Sequence, residues 1–206
     1  MKIAIVGGTG AFGQALAQRL TALGEKVVIG SRDPDRAREL AAVYGDTGGA
    51  NPDVVREADL VVLSVPGRAA VETARSLATA IGSTPVLSVA SDLRFTDAGV
   101  LPGRSGRSLA EEVADVLAAP VAAGFQSLAA AHLAAAEPPD EDVLVCGDDN
   151  PAKTIALELG DRLVAGHAVD AGPLANARAL EGLTAVILNV NRRHGVRAGI
   201  RLTGLP

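Results

Sequence analysis

Three glycines near the start of the chain, Gly8, Gly10 and Gly13, stand at the spacing G-x-G-x-x-G. In this pattern the first glycine permits a tight turn, the second lets the backbone approach a diphosphate, and the third lets a helix pack closely on a strand. An apolar run over 2–6 precedes the glycines, and apolar residues at helical spacing follow over 14–23. The stretch therefore predicts a strand, a glycine turn and a helix whose N-terminal N–H groups bind a dinucleotide diphosphate.

The residues after the second predicted strand indicate which dinucleotide is bound. NAD sites usually have Asp or Glu there for the ribose 2′-hydroxyl, whereas an Arg accommodates a 2′-phosphate. Here Ser31 and Arg32 follow the strand, and Arg36 lies one turn further on. A hydroxyl and two guanidinium groups suit a phosphate dianion, which favours NADP. Asp33 and Asp35 support the alternative, in which a carboxylate faces the ribose or caps the next helix.

Composition restricts the class of protein. Of the 206 residues, 48% are hydrophobic but only 2% are aromatic, so Ala, Val and Leu must fill the core. The net charge of −5 argues against nucleic acid as a partner, because phosphate binding needs a basic face. The single cysteine, Cys146, excludes a disulfide framework and a thiolate metal cluster, and no His spacing is typical of a metal site. With no apolar run long enough to cross a bilayer, we expect no membrane contact and a cytoplasmic location.

Apolar runs that alternate with helical segments predict the rest of the architecture. Strands are predicted over 59–66, 85–90, 120–124, 143–146 and 167–170, and helices over 36–43, 69–81, 109–117, an alanine-rich segment after 124, 148–159 and 175–193. The segment 45–51 is too glycine-rich to be regular, and 91–108 is expected to be the least regular part of the chain. With Arg94, Arg104 and Arg107, the second segment is either a solvated connection or a basic lid, and Ser108 with Glu111 predicts a capping box for the helix that follows. Together these elements predict an α/β fold: a Rossmann-type, doubly wound and mainly parallel sheet with a small C-terminal helical extension.

The chain divides at the end of the last predicted strand. Residues 1–172 are assigned to the NADP-binding Rossmann domain and 173–206 to a helical segment that caps the cleft or forms a dimer. The long helix in that segment has an apolar side formed by Leu180, Leu183, Val186, Ile187 and Val190. Such a side packs on the main domain or on a second subunit, and we expect a homodimer.

Several separated motifs resemble those of the NADPH-dependent F420 reductases, a family also called F420:NADP oxidoreductases. They are GGTG at 7–10 with Gly13, GSR at 30–32, VP at 65–66, VCGDD at 145–149, DAGPL at 170–174 and IRLTGL at 200–205. The resemblance covers nearly the whole chain. It implies that the Rossmann domain holds NADP and that the C-terminal helical part closes a cleft for the deazaflavin of coenzyme F420.

The resemblance also implies a role for individual residues. By motif position it assigns Thr9, Gly10, Ala11 and Phe12 to the diphosphate and Ser31, Arg32 and Arg36 to the 2′-phosphate. The ribose and nicotinamide are assigned to Val65, Pro66 and the segment 88–90, which includes Ala90. Arg178 and Thr184 are assigned to F420.

The chemistry expected at such a site is hydride transfer between NADP(H) and F420. Transfer between two stacked rings needs orientation and exclusion of water rather than a nucleophile, so no catalytic side chain is predicted. Two alternatives remain open. One is an NADPH-dependent reductase of a flavin or of a small imine or carbonyl compound, and the other is a non-catalytic sensor that binds NADP.

Overall fold

The computed structural model describes residues 1–44, 46–103, 106–148 and 151–205. Its strands are β1 (Lys2–Val6), β2 (Lys26–Ser31), β3 (Thr47–Ala50), β4 (Leu60–Leu63), β5 (Val86–Ser88), β6 (Leu93–Thr96), β7 (Gly99–Pro102), β8 (Val121–Gly124), β9 (Val143–Gly147) and β10 (Ala168–Asp170). Its helices are α1 (Ala11–Ala22), α2 (Pro34–Tyr44), α3 (Asn51–Val54), α4 (Gly67–Ile81), α5 (Leu109–Val116), α6 (Ala130–Leu133), α7 (Pro151–Leu163) and α8 (Ala177–His194), with a 3₁₀ turn at Leu174–Asn176 before α8.

Eight strands form one sheet in the order β10-β9-β8-β5-β4-β1-β2-β3. The pairings from β3 to β8 are parallel, β8 pairs antiparallel with β9, and β9 pairs parallel with β10. The predicted α/β fold with a mainly parallel sheet is thus confirmed. Because the chain leaves β1 toward β2 on one side and later returns to β4 on the other, a crevice opens at the carboxyl ends of β1 and β4.

The central strands are apolar on both faces because helices cover both faces of the sheet. Every residue of β4 is fully or almost fully buried, as are Ile3, Ala4, Ile5 and Val6 of β1. Such continuous apolar runs are typical of parallel strands between two helical layers. The low aromatic content is compatible with this core, which is built mainly from Ala, Val, Leu and Ile.

The glycine turn after β1 differs in one respect from the predicted division of roles. Gly7, rather than Gly8, has the left-handed backbone of the tight turn, with φ of 79°. A Cβ on Gly7 would overlap the carbonyl oxygen of Ser64, and a Cβ on Gly13 would lie 2.7 Å from the Cα of Gly8. The third glycine therefore has the predicted function, since it allows α1 to approach the turn.

The prediction that 45–51 is irregular was wrong for its described part. Residues 47–50 form β3, which pairs with β2, and Asn51 begins the short helix α3. A Cβ on Gly48 would overlap the carbonyl oxygen of Ala37, so glycine is needed here for the strand to pack against α2. Gly45 lies outside the described residues.

The prediction that 91–108 is irregular was wrong for part of the segment. The segment contains the antiparallel hairpin of β6 and β7, with Arg94 paired to Leu101 across the two strands. Its second predicted feature, a capping box of Ser108 and Glu111 at the start of α5, is confirmed. Arg104, one of the basic residues considered for a lid, lies outside the described residues.

The alanine-rich segment between β8 and β9 is helical for only four residues, in α6. The guanidinium group of Arg19, on α1, donates to the carbonyl oxygens of Leu133, Ala135, Ala136 and Glu137. These bonds occupy carbonyl groups just beyond the helix and hold the loop against α1. Residues 149–150 of the helix predicted over 148–159 lie outside the described residues, and α7 extends four residues beyond its predicted end.

The C-terminal segment packs on the rest of the chain through polar contacts as well as apolar ones. Asn189 of α8 accepts the N–H of Val100 at 3.0 Å and donates to its carbonyl oxygen at 2.6 Å, which attaches the hairpin to the helix. Beyond α8, the Asp142 carboxylate accepts the N–H of Leu202 at 2.6 Å. Within the described part of the chain, no helix has the length and apolarity that crossing a membrane requires.

Candidate functional site

A cavity of about 780 Å³ lies at the carboxyl ends of β1, β2 and β4. It occupies the crevice where the chain direction switches, which is where open α/β sheets bind ligands. Its lining residues are Gly7, Thr9, Gly10, Ser31, Arg32, Asp33, Arg36, Ala50, Asn51, Pro52, Ser64, Val65, Pro66, Arg68, Ala69, Thr73, Ser76 and Leu77.

The glycine turn forms one wall of this larger cavity. The Gly8 N–H donates to Gly30 O at 3.0 Å, which ties the turn to β2. The side-chain amide of Gln14 donates to Thr9 O at 2.8 Å. At Gly10, the N-cap of α1, the nearest atom to an added Cβ would be 3.4 Å away, and neither a capping side chain nor an acidic first-turn residue is present. The α1 N-terminus is therefore open to an anion in the cavity.

Two guanidinium groups stand at the end of the cavity beyond β2. Arg32 and Arg36 are exposed, and neither forms an ion pair with a described residue. The Asp33 carboxylate, in contrast, accepts the N–H groups of Asp35 and Arg36 at 3.2 Å each, and the Asp35 carboxylate pairs with Arg38 at 2.6 Å. The carboxylates of Asp33 and Asp35 thus have partners at the start of α2, whereas Arg32 and Arg36 remain available to an anion.

A smaller cavity of about 340 Å³ adjoins the larger one, with which it shares Gly10, Ser64, Val65 and Pro66. Its other lining residues are Ala11, Phe12, Gly13, Gly67, Val89, Ala90, Ser91, Leu93, Phe125, Gln126, Leu128 and Thr184. The lining is predominantly apolar. A ring held there would contact mainly apolar walls.

The smaller cavity contains a strained residue. Phe125, directly after β8, has φ of 71°, the one positive value among the described residues that are not glycine. A bulky residue in this region of backbone conformation costs free energy and is held there by its surroundings. Here Phe125 is buried against the core while the chain turns to place Gln126 at the cavity wall.

Gln126 is held in place but has an unused acceptor. Its side-chain N–H donates to Ser88 O at 3.2 Å, whereas its Oε1 is buried without a hydrogen-bond partner among the described residues. Only 7% of Gln126 is exposed. The hydroxyl groups of Ser88 and Ser127 are buried and unpartnered as well. Because buried polar groups usually have partners and Gln126 lines the smaller cavity, its free Oε1 points to a polar ligand there, whereas Ser88 and Ser127 line neither cavity.

Helix α8 supplies the outer wall of the smaller cavity through Thr184. The Thr184 hydroxyl donates to Gln126 O at 3.0 Å and lies 2.9 Å from the Ser91 hydroxyl, which is therefore the donor to it. Arg178 lies elsewhere: it is exposed and lines a separate crevice of about 20 Å³ with Asp92 and Glu181. The structure does not bring Arg178 into the same cavity as Thr184.

Glu181 holds α8 against the start of α5. Its buried carboxylate accepts the N–H of Leu109 at 3.1 Å and that of Ala110 at 3.2 Å. Burial raises the pKa of Glu181 to about 7, although backbone N–H donors oppose the shift. Asp92, which faces the same crevice, raises this pKa further by charge repulsion.

Cys146 is a buried core residue of β9. Burial raises the pKa of its thiol to about 12, so the thiolate that a nucleophile requires is not formed near neutral pH.

Most of the predicted cofactor-binding residues meet at the two cavities. Those in the larger cavity are Thr9, Gly10, Ser31, Arg32, Arg36, Val65 and Pro66, and those in the smaller cavity are Gly10, Ala11, Phe12, Gly13, Val65, Pro66, Ala90 and Thr184. Gly8 lines neither cavity and serves the packing of the turn.

Sequence reasoning missed Asn51, Arg68, Gln126 and Ser91 as lining residues. Gln126 and Ser91 each follow shortly after a predicted strand, at the edge where ligands bind, and this position was the available signal.

A parallel sheet with a glycine turn and an open helix N-terminus at its switch point defines a Rossmann-type dinucleotide-binding protein. The family model described as "NADP oxidoreductase coenzyme F420-dependent" matches residues 2–92. An F420-dependent NADP reductase of Methanothermobacter thermautotrophicus is 37% identical, with 100% of this chain and 96% of that protein covered. The chain therefore belongs to the family of F420-dependent NADP oxidoreductases.

Solved structures agree with this membership at the level of fold. A candidate F420-dependent NADP reductase from Arthrobacter sp. FB24 superposes with a TM-score of 0.86 at 25% identity, over 98% of this chain and 99% of that one. An imine reductase of Streptomyces aurantiacus has a TM-score of 0.64 at 20% identity, over 94% of this chain and 61% of that one, and shares the fold alone.

The raised pKa of Glu181 predicts a pH-dependent stability. Because the pKa of Glu181 in the folded protein, about 7, exceeds the usual glutamate pKa of 4.5, the contribution of Glu181 to stability is complete below pH 4.5 and is lost as the pH rises through 7. We expect the free energy of unfolding of the wild type to fall by about 1–3 kcal/mol relative to Glu181→Gln between pH 5 and 8. Chemical denaturation at both pH values measures this difference.

Glu158→Gln, at an exposed glutamate of α7, is the matched control and should follow the wild type at both pH values. Parallel pH profiles for the wild type and Glu181→Gln would contradict the assignment.

Proposed function

We propose that the protein transfers a hydride between NADP(H) and the deazaflavin coenzyme F420. The observation that carries this proposal is the junction of the two cavities at Gly10, Ser64, Val65 and Pro66. A dinucleotide on the glycine turn in the larger cavity extends its nicotinamide into the smaller one, where a second ring stacks on it. Full-length relatives whose names state this reaction support the same assignment.

The larger cavity has the groups that NADP requires. The open N-terminus of α1 suits the diphosphate, and Ser31, Arg32 and Arg36 suit the 2′-phosphate, because both arginines lack an ion-pair partner among the described residues. Asn51 is only 7% exposed, and its Oδ1 has no hydrogen-bond partner among the described residues. A buried acceptor of this kind suits a donor such as a ribose hydroxyl or the adenine amino group.

The smaller cavity positions the reacting rings. When bound, NADPH supplies the hydride and oxidised F420 accepts it. The protein has to hold the two reacting carbons about 3–3.5 Å apart and exclude water. Phe12, Val89 and Ala90 contribute apolar walls, and the free Oε1 of Gln126 suits an N–H at the edge of a bound ring.

The two residues assigned to F420 have different positions. Thr184 lies in the smaller cavity, where it is fixed by Gln126 O and the Ser91 hydroxyl. Arg178 lies outside this cavity and is exposed, so we assign it to the acidic tail of F420 rather than to the ring. The segment 173–206 thereby acts as the cap over the Rossmann domain 1–172.

The direct test of the proposed function is a comparison of hydride acceptors. Purified protein is mixed with NADPH and, in separate reactions, with F420, FMN, FAD or a cyclic imine, and NADPH oxidation is followed by absorbance. We expect F420 to be reduced at least tenfold faster than any other acceptor. Faster reduction of a flavin or the imine would assign a different reductase activity, and NADPH binding without oxidation would indicate a sensor.

Selection of NADP over NAD predicts a specific effect at Arg32. Arg32→Gln removes one guanidinium group from the proposed 2′-phosphate site and should weaken NADPH binding by about tenfold or more, with little effect on NADH. Fluorescence titration of both nucleotides measures the two affinities. Arg38→Gln, on the same side of α2 as Asp35 but outside the cavity, should change neither affinity. Equal losses for both nucleotides in Arg32→Gln would refute the 2′-phosphate assignment.

We also propose that the protein is a cytoplasmic homodimer, assembled through α8 and the hairpin. One turn apart on α8, Val186 is 56% and Val190 is 37% exposed, and Phe95 on the attached hairpin is 76% exposed. Apolar side chains this exposed on adjoining elements suit a second copy of the chain.

Sedimentation velocity tests the proposed dimer. Val186→Asp introduces a charge into the proposed interface and should convert a dimer into a monomer. Val43→Asp, at a 74% exposed valine of α2, is the matched control and should leave the oligomer unchanged. A monomeric wild type, or a Val186→Asp protein that remains dimeric, would overturn the proposal.

A further inference from the structure

Arg68 lies where the electrostatics of its own helix disfavour a cation. It is the second residue of α4, whose N-terminus carries a partial positive charge. The first turn of α4 has no acidic residue, and its N-cap, Pro66, provides no side-chain hydrogen bond. Stability of the free protein therefore gives no reason for an arginine here.

The start of α5, which lines neither cavity, is satisfied by the chain's own side chains. There Ser108 and Glu111 form a capping box, and Glu111 and Glu112 place negative charge in the first turn. Helices α1, α4 and α8 lack such features, and of these three α1 and α4 begin at the larger cavity. Two positive helix ends and the Arg68 side chain thus meet at one cavity.

The position of Arg68 along the cavity indicates which phosphate it meets. Arg68, Ala69, Thr73 and Ser76 line the cavity from α4, and the rise of a helix spreads them over about 12 Å. Arg68 lies at the N-terminal end of this row, two residues after Pro66, which belongs to both cavities. The row therefore begins at the junction of the two cavities, where the diphosphate of the proposed dinucleotide would lie because it links the two halves of that molecule.

The distribution of charged residues around the larger cavity also indicates that Arg68 meets the diphosphate. The glycine turn, residues 7–13, has no charged side chain, so from that wall a diphosphate receives only backbone N–H groups. Arg32 and Arg36 follow β2, at the proposed site of the 2′-phosphate. Arg68 has no ion-pair partner among the described residues and supplies a cation on the α4 side. The buried, unpartnered Oδ1 of Asn51 independently marks the same cavity as a ligand site.

From these observations we infer that Arg68 binds the diphosphate of the dinucleotide and clamps it against the glycine turn from the α4 side. Arg68 is thus a positioning residue for the hydride transfer, and the inference rests on the proposed binding of NADP. It differs from the role of Arg32, because the diphosphate is common to NADP and NAD whereas the 2′-phosphate is not.

Nucleotide titrations distinguish these roles. Arg68→Gln should weaken NADPH and NADH equally, by about tenfold, because it removes one charge-assisted contact that both nucleotides make. The dependence of affinity on salt concentration should become weaker in the variant. Its thermal midpoint should be unchanged or slightly higher, because a cation is removed from a helix N-terminus. A purely structural arginine would instead lower the midpoint on removal.

The matched control is Arg75→Gln, at an exposed arginine of the same helix that pairs with Glu72 and does not line the cavity. It should leave both affinities unchanged. A loss in Arg68→Gln confined to NADPH would overturn the inference, as would affinities equal to those of Arg75→Gln. Because the titration measures binding alone, a different hydride acceptor would refute the proposed reaction and leave this inference intact. A wild type that binds neither nucleotide would overturn both.

Discussion

The close contact of α1 with the turn after β1 is the constraint on which the site depends. Gly13 and Gly8 approach so closely that a side chain on Gly13 would force α1 outward, and Gly7 has no space for a Cβ beside Ser64. Gly10, which begins α1, is part of both cavities. The backbone packing of a few glycines thus fixes the wall that the two halves of the site share, and the remaining groups are arranged around it.

The C-terminal helix α8 completes the site through three of its polar residues, each of which bonds to a different element. Thr184 bonds to the backbone after β8, Glu181 to the first N–H groups of α5, and Asn189 to the hairpin. The outer wall of the smaller cavity therefore comes from the end of the chain, whereas the glycine turn comes from its beginning. The cleft is complete only when the whole chain has folded, because residues from both ends form it.

The sequence predicted an element correctly where the signal for that element lies within one short stretch of the chain. The apolar runs of β1 and β4, the glycine turn and the Ser108 capping box are local signals, and each predicted its element. Gly48 was misread because its contact with Ala37, on a neighbouring element, cannot be seen in a glycine-rich string. Gln126 and Asn51 were missed for a related reason: their importance lies in acceptors that become buried and unpartnered only when distant segments pack together.

The side chain of Asn189 also affects whether another chain can add a strand to the hairpin. Its carboxamide binds both the N–H and the carbonyl oxygen of Val100, the same pair of groups that an added β-strand would use on the rim of the hairpin. A two-stranded ribbon carrying an exposed Phe95 is otherwise a template for unwanted strand addition and aggregation. One side chain of α8 thus holds the hairpin in place and occupies the two backbone groups of Val100 that an added strand would need.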